Sequence, residues 1–124
     1  MNVLNTQNAP AAIGPYSQGV EVNGIVFVSG QLPIIPTTGT FPEGGIKEHT
    51  RQCLTNIKAI LESHGYTLAD VVKTTVLLAD IDDFAAMNEV YAEMFSNPYP
   101  ARSAFAVKDL PKGAMLEIEC IAAK

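Results

Sequence analysis

Three stretches of this chain are apolar on both sides: IVFVSG at 25–30, VVKTTVLL at 71–78 and LEIECIAA at 116–123. Successive side chains of an extended strand point to opposite faces. A strand that is apolar on both faces must therefore be covered on both. The chain offers little to do this with, because only two segments read as helices. Ile46, Cys53, Leu54, Ile57, Ile60 and Leu61 recur at helical spacing and predict a helix over about 46–64, with Gly65 as its stop. Phe84, Met87, Val90, Tyr91 and Met94 form the stripe of a second, over about 83–95, capped by Asp80 or Asp82 and ended by Pro98 and Pro100. Two helices cover one face of a sheet. The uncovered face calls for another copy of the chain, so patterning alone predicts a homo-oligomer.

The remaining elements follow from local signals. Asn23-Gly24 between two alternating runs is a strong hairpin signal, predicting strands at about 17–22 and 25–31. PIIPTTGTFPEGG reads as a loop and the segment 67–70 as a short turn. RSAFAV is a strand, KDLPKG a turn and AMLEIECIAA a last strand. The order β-β-α-β-α-β-β describes an α+β fold, a single sheet with two helices on one face. The 124 residues, 48% hydrophobic and 17% charged, suit one domain over 1–124.

Composition also excludes functions. A formal net charge of -5, with no lysine or arginine cluster, argues against nucleic-acid binding, which depends on phosphate neutralisation. No stretch approaches the roughly 20 apolar residues that span a bilayer. The opening MNVLNTQNAP lacks the basic and apolar regions of a signal peptide, so a cytoplasmic location is expected. Cys53, Cys120, His49 and His64 show no zinc-ligand spacing, and no metal is expected. Both cysteines fall on apolar stripes and read as buried thiols. Both histidines are expected at the surface or edge of the first helix.

Candidate chemistry gathers around one charge. PYPARSAFAV places Arg102 where a strand enters the core, and such a charge needs a partner. Arg102, Ala104 and Ala106 share one face. Leu116, Ile118 and Cys120 suit the helix side of the last strand, leaving Glu117 and Glu119 on the other. The short KDLPKG turn predicts that the last two strands are antiparallel neighbours, with Arg102 approaching Glu117. That pair is either an interface salt bridge or a pocket in which the guanidinium binds an anionic ligand in a fork. Tyr16, after Pro15, can pack and donate a hydrogen bond. Ser29 can satisfy a neighbouring backbone group, and Gly30 permits close approach. No Ser-His-Asp arrangement or phosphate-binding glycine loop is visible.

NAPAAIGPYSQG, VSGQLP, RQCLTNIKAILESHG, VVKTTVLLADIDDFAAMNEVYAEMF, PARSAFAV and LEIECIA, in that order, closely resemble the RidA family of reactive-intermediate deaminases. The resemblance implies a chorismate-mutase-like fold and a homotrimer with a central β-barrel, helices outside and ligand clefts between neighbouring subunits. It implies hydrolysis of 2-aminoacrylate and 2-iminobutyrate to 2-oxo acids and ammonia, with no cofactor. The family's carboxylate-binding arginine matches Arg102, its water-associated glutamate Glu117, its pocket tyrosine Tyr16, and its serine and glycine Ser29 and Gly30. Many members carry cysteine two residues after the arginine, where this chain has Ala104. A backbone contact at residue 104 survives that change, and thiol chemistry does not. Two other readings remain: a noncatalytic trimer binding 2-oxo acids, and an endoribonuclease or translation inhibitor, disfavoured by the acidic charge.

Overall fold

A computed structural model describes the whole chain, Met1–Lys124. One mixed sheet contains six strands: β1 (Asn2–Leu4), β2 (Gly19–Val22), β3 (Ile25–Gln31), β4 (Val71–Leu78), β5 (Ala101–Ala106) and β6 (Leu116–Ala123). Helix α1 (Ile46–Glu62) joins β3 to β4, and α2 (Phe84–Met94) joins β4 to β5. Across the sheet the order is β1-β2-β3-β6-β4-β5.

Local chemistry explains the elements. Asn23 (φ 51°) and Gly24 (φ 81°) both adopt the left-handed conformation of a type I′ turn, and Val22 pairs with Ile25 beside it. In α1, Glu48 accepts a hydrogen bond from the Gly45 N–H at 3.2 Å, occupying a free donor at the helix start. Gly65 (φ 77°) ends the helical turn, and the Tyr66 N–H donates back to the Leu61 carbonyl at 3.0 Å. The apolar stripe of α1 is buried: Cys53, Leu54, Ile57, Ile60 and Leu61 are fully enclosed against Val26, Val76, Leu78, Leu116 and Ile118. Each large aliphatic side chain so buried stabilises the fold by about 1.5–3 kcal/mol.

Both helices lie on one face of the sheet. The opposite face stays open in the single chain, with Phe27 42% and Phe105 49% exposed. The two-sided apolar pattern is thus real: one side is core, and the other is apolar surface. No helix is long and apolar enough to cross a membrane.

Three expectations need correction. Strand β1 has no counterpart in the predicted order; its three residues gain their extended form by pairing with β2. The last two strands are not neighbours. Instead β5 lies parallel to β4, and β6 inserts between β3 and β4, antiparallel to both. A strand-helix-strand unit returns its second strand parallel to the first, and the connection from β5 to β6, residues 107–115, is longer than the expected turn and leaves the two strands free to part. His49 is buried rather than at an edge, its Nε2 lying 3.0 Å from the Pro42 carbonyl. His64 is exposed, as expected.

Candidate active site

A cleft of about 700 Å³ opens beside the ends of β3 and β6 and gathers Tyr16, Ser29, Gly30 and Glu117 on its wall. The local cause is a bulge. Val28 pairs with Cys120 and Gln31 with Ile118, so β3 spends one residue more than β6 over this interval. Bulges bend a strand and redirect its side chains. Ser29 and Gly30 occupy this one. The Ser29 N–H donates to the Gln18 carbonyl at 2.9 Å, and Ser29 Oγ donates to the Ser17 carbonyl. The hydroxyl therefore satisfies backbone and still presents lone pairs.

Gly30 exists here for space. A methyl added to its Cα would stand 2.9 Å from the Glu117 carboxyl carbon and collide with its Oε1. The missing side chain lets the carboxyl lie against the strand. Half-buried there, Glu117 is desolvated, which raises its pKa above the ordinary carboxylate value; the charge of Glu119 adds to the rise. Tyr16 is 53% exposed and its hydroxyl accepts from the Ile13 N–H at 3.3 Å, so its ring stands free at the cleft mouth.

Two residues of this cleft were missed by sequence reasoning. Gln18, 2% exposed, accepts from the Thr6 N–H at 2.8 Å and donates to the Pro10 carbonyl at 2.8 Å. It fastens the N-terminal segment along the cleft. A single glutamine before a strand gives no pattern to read. Lys112, held at φ 59° in the turn before β6, brings a cation to the lining.

Arg102 lies elsewhere. It pairs across β5 and β4 with Thr74, which pairs with Cys120, so all three share the helix-covered face. Glu117 pairs with Leu77 on the other face. The expected approach of Arg102 to Glu117 does not occur within one chain, because β4 separates their strands and their side chains leave opposite sides. The partner of Arg102 is instead an amide: its Nη1 donates to Asn88 Oδ1 at 2.7 Å. The rings of Phe84 and Tyr91 lie 5.4 and 4.7 Å from its central carbon, within cation–π range. The Tyr91 hydroxyl is fixed in turn to Thr74 Oγ1 at 2.7 Å. The chain's ion pairs join Lys47 to Glu89, Arg51 to Glu93 and His64 to Glu21, and Arg102 is in none of them. A guanidinium held by one neutral acceptor keeps donors and charge free for an anion. Ala104, two residues along, is half-buried on the same face beside Val76.

Both thiols are inert by placement. Burial raises the pKa of Cys53 well above the free thiol's, and that of Cys120 to about 12. No three His, Cys, Asp or Glu side chains converge as a metal site.

The family model described as Endoribonuclease L-PSP matches residues 6–124. The chain belongs to this family. A relative in goat, named 2-iminobutanoate/2-iminopropanoate deaminase, is 51% identical over 97% of this chain and 88% of its own length. The solved structure of RidA from the Antarctic bacterium Psychrobacter superposes with a TM-score of 0.96 at 48% identity, covering all of both chains. E. coli TdcF with bound serine superposes with a TM-score of 0.95 at 44% identity, covering 100% of this chain and 99% of that one. The six-stranded sheet with two helices is therefore the fold of the L-PSP family, and the RidA resemblance in the motifs is borne out.

Proposed function

We propose that this protein hydrolyses 2-imino and enamine acids, such as 2-aminoacrylate and 2-iminobutyrate, to 2-oxo acids and ammonia. The observation that carries the reading is the near-full-length identity to an enzyme named for that reaction. The geometry supports it: an unneutralised arginine suits a carboxylate, and a desolvated glutamate suits a water.

Arg102 holds the substrate carboxylate in a fork and fixes its orientation. The iminium carbon is already electrophilic. Glu117 orients a water and takes its proton as the new C–O bond forms. The resulting carbinolamine carries hydroxyl and amino groups on one carbon. Glu117 returns the proton to nitrogen, the C–N bond breaks, and ammonia leaves as the carbonyl forms, the hydroxyl proton passing to the Glu117 carboxylate and from there to the departing ammonia. Tyr16 packs over the ligand; Ser29, Gly30 and the backbone at Ala104 shape its surroundings. A raised carboxyl pKa makes Glu117 a stronger base than an exposed glutamate, provided it is ionised.

One chain does not supply both groups to one small ligand, since Arg102 and Glu117 leave opposite faces. The complete cleft takes Arg102 from one copy and Glu117 from the next. The copies form a homotrimer, their open faces closing around a central barrel and covering Phe27 and Phe105. Sedimentation should return three chains per particle; a stable folded monomer at micromolar concentration would sink the shared cleft.

The structure of TdcF with bound serine favours a second reading, a metabolite-binding module without turnover. The nuclease reading has less support: net charge is -5, His49 is buried with its Nε2 at a carbonyl, and His64 stands apart beyond the end of α1. The deciding experiment generates imine in situ with a threonine dehydratase and measures ammonia release with and without the protein. Acceleration supports the deaminase; binding of 2-oxobutyrate without acceleration supports the module.

A further inference from the structure

Phe84, Asn88 and Tyr91 stand at i, i+4 and i+7 on α2, a single stripe of that helix, and all three meet Arg102. A guanidinium has only donors, so the atom facing it is the amide oxygen of Asn88. That oxygen belongs to a neutral group. A half-buried arginine is more strongly held by a carboxylate, yet such a partner cancels its charge. The carboxylates flanking Asn88 on α2 are occupied elsewhere. Glu89 pairs with Lys47 of α1 at 2.6 Å and Glu93 with Arg51 of α1 at 3.2 Å. The helix thus lays two rings and an amide against Arg102, while its own acids face the cations of α1.

We infer that Asn88 is a positioning residue that makes Arg102 selective for carboxylates, fixing the guanidinium through a neutral hydrogen bond that leaves its charge for the ligand. The inference rests on the reading of Arg102 as the substrate clamp. It adds a requirement that the clamp alone does not make: the acceptor at position 88 must be uncharged as well as present.

The charge and the hydrogen bond are separable by substitution. Asn88→Asp keeps size and acceptor but sets a negative charge on the guanidinium. Asn88→Ala removes the acceptor without adding charge. Both, with Arg102→Ala and the parent, are titrated calorimetrically with 2-oxobutyrate and with its uncharged counterpart, 2-oxobutanamide, and assayed for imine hydrolysis.

Asn88→Asp is expected to weaken 2-oxobutyrate binding and raise KM by about tenfold or more, because an internal ion pair competes with the ligand. Amide binding and kcat should stay within about threefold of the parent, since only interactions of the substrate carboxylate change. Asn88→Ala should lose about three- to tenfold in 2-oxobutyrate affinity, less than the aspartate variant, from a less ordered guanidinium. General structural damage would weaken both ligands together, and that result overturns the proposal. If Arg102→Ala loses the preference for carboxylate over amide while both Asn88 variants keep it, the clamp stands and the role of Asn88 falls. If Arg102→Ala itself keeps the preference, the clamp reading falls and takes this inference with it. Should the aspartate variant not assemble, parental preference in Asn88→Ala overturns the proposal on its own.

Discussion

Arg102 and Glu117 project from opposite faces of one sheet, on strands that flank β4. Arg102 shares the row of Thr74 and Cys120 on the helix side, while Glu117 shares the row of Leu77 and Phe105 on the open side. The residue that would bind the anion and the residue that would move the proton are therefore structurally independent within a chain. Each has its own support: Asn88, Phe84 and Tyr91 for the arginine, the bulge at Ser29-Gly30 for the glutamate.

Arg102→Ala should nearly abolish imine hydrolysis while leaving assembly intact. Losing a fork to a carboxylate costs about 2–5 kcal/mol when the opposing charge stays unpaired. Arg102→Lys should recover only part, because an ammonium lacks the planar geometry. Turnover and 2-oxobutyrate binding are measured alongside sedimentation. An intact Arg102→Ala assembly with parental activity would return the arginine to a purely structural role.

Glu117→Gln should lose turnover yet gain stability at neutral pH. A carboxyl whose folded pKa is raised contributes stability while protonated, below its unfolded pKa, and loses it as pH rises through the folded value. The parent at neutral pH carries a desolvated charge that glutamine lacks. Thermal melts across the acidic range should show the variant's advantage shrinking as pH falls into the carboxylate range. Catalysis has the opposite sign: as a base, Glu117 works ionised, so parental turnover should fall on acidification at a higher pH than for an exposed glutamate. An advantage for the variant that grows toward acid would refute the desolvation assigned to Glu117.

Gly30→Ala tests the close approach. Its methyl meets the Glu117 carboxyl, the far end of a flexible side chain, so the fold should survive while the carboxyl moves. The expected outcome is a melting midpoint near the parent's and a loss of turnover of about tenfold or more, because misplacing a catalytic group by an ångström is costly. Parental turnover would mean that the carboxyl position against β3 is irrelevant to the reaction.

Ala104→Cys should leave hydrolysis within about a few-fold of the parent, since the chemistry assigned to the site needs no thiol nucleophile. Steady-state kinetics with freshly generated imine provide the check. A gain of orders of magnitude would show that a thiol at this position does chemistry the present chain lacks.

Much of the fold could be read from local signals, and the failures have physical causes. Asn23-Gly24 specified its hairpin because two adjacent left-handed residues are a strong local constraint. The stripe of α1 was legible because each apolar residue at helical spacing ended in the core. The position of β6 was not legible. Its connection to β5 is too long for turn geometry to fix pairing, and its neighbours were decided by contacts distant in sequence. His49 looked like an edge residue because a histidine carries a polar ring; the Pro42 carbonyl that meets that ring lies in a loop with no periodic signal. At the site, single residues such as Arg102 and Glu117 stood out by type against apolar surroundings. Asn88 and Gln18 did not, because a neutral amide acquires meaning only from the group it faces.

The strand that carries Arg102 lies at one edge of the sheet. If it reaches into a neighbour's cleft, the two halves of a site are encoded once but used apart, and two defective proteins can repair each other. Chains with Arg102→Ala retain a sound Glu117, and chains with Glu117→Gln retain a sound Arg102. Unfolded together and reassembled at equal amounts, they would form rings in which each mixed trimer holds one cleft with both native groups. Random assortment gives about a quarter of all clefts restored, from two preparations that are each inactive alone. Recovered turnover after mixing would then report the shared cleft directly, with no ligand bound and no interface seen.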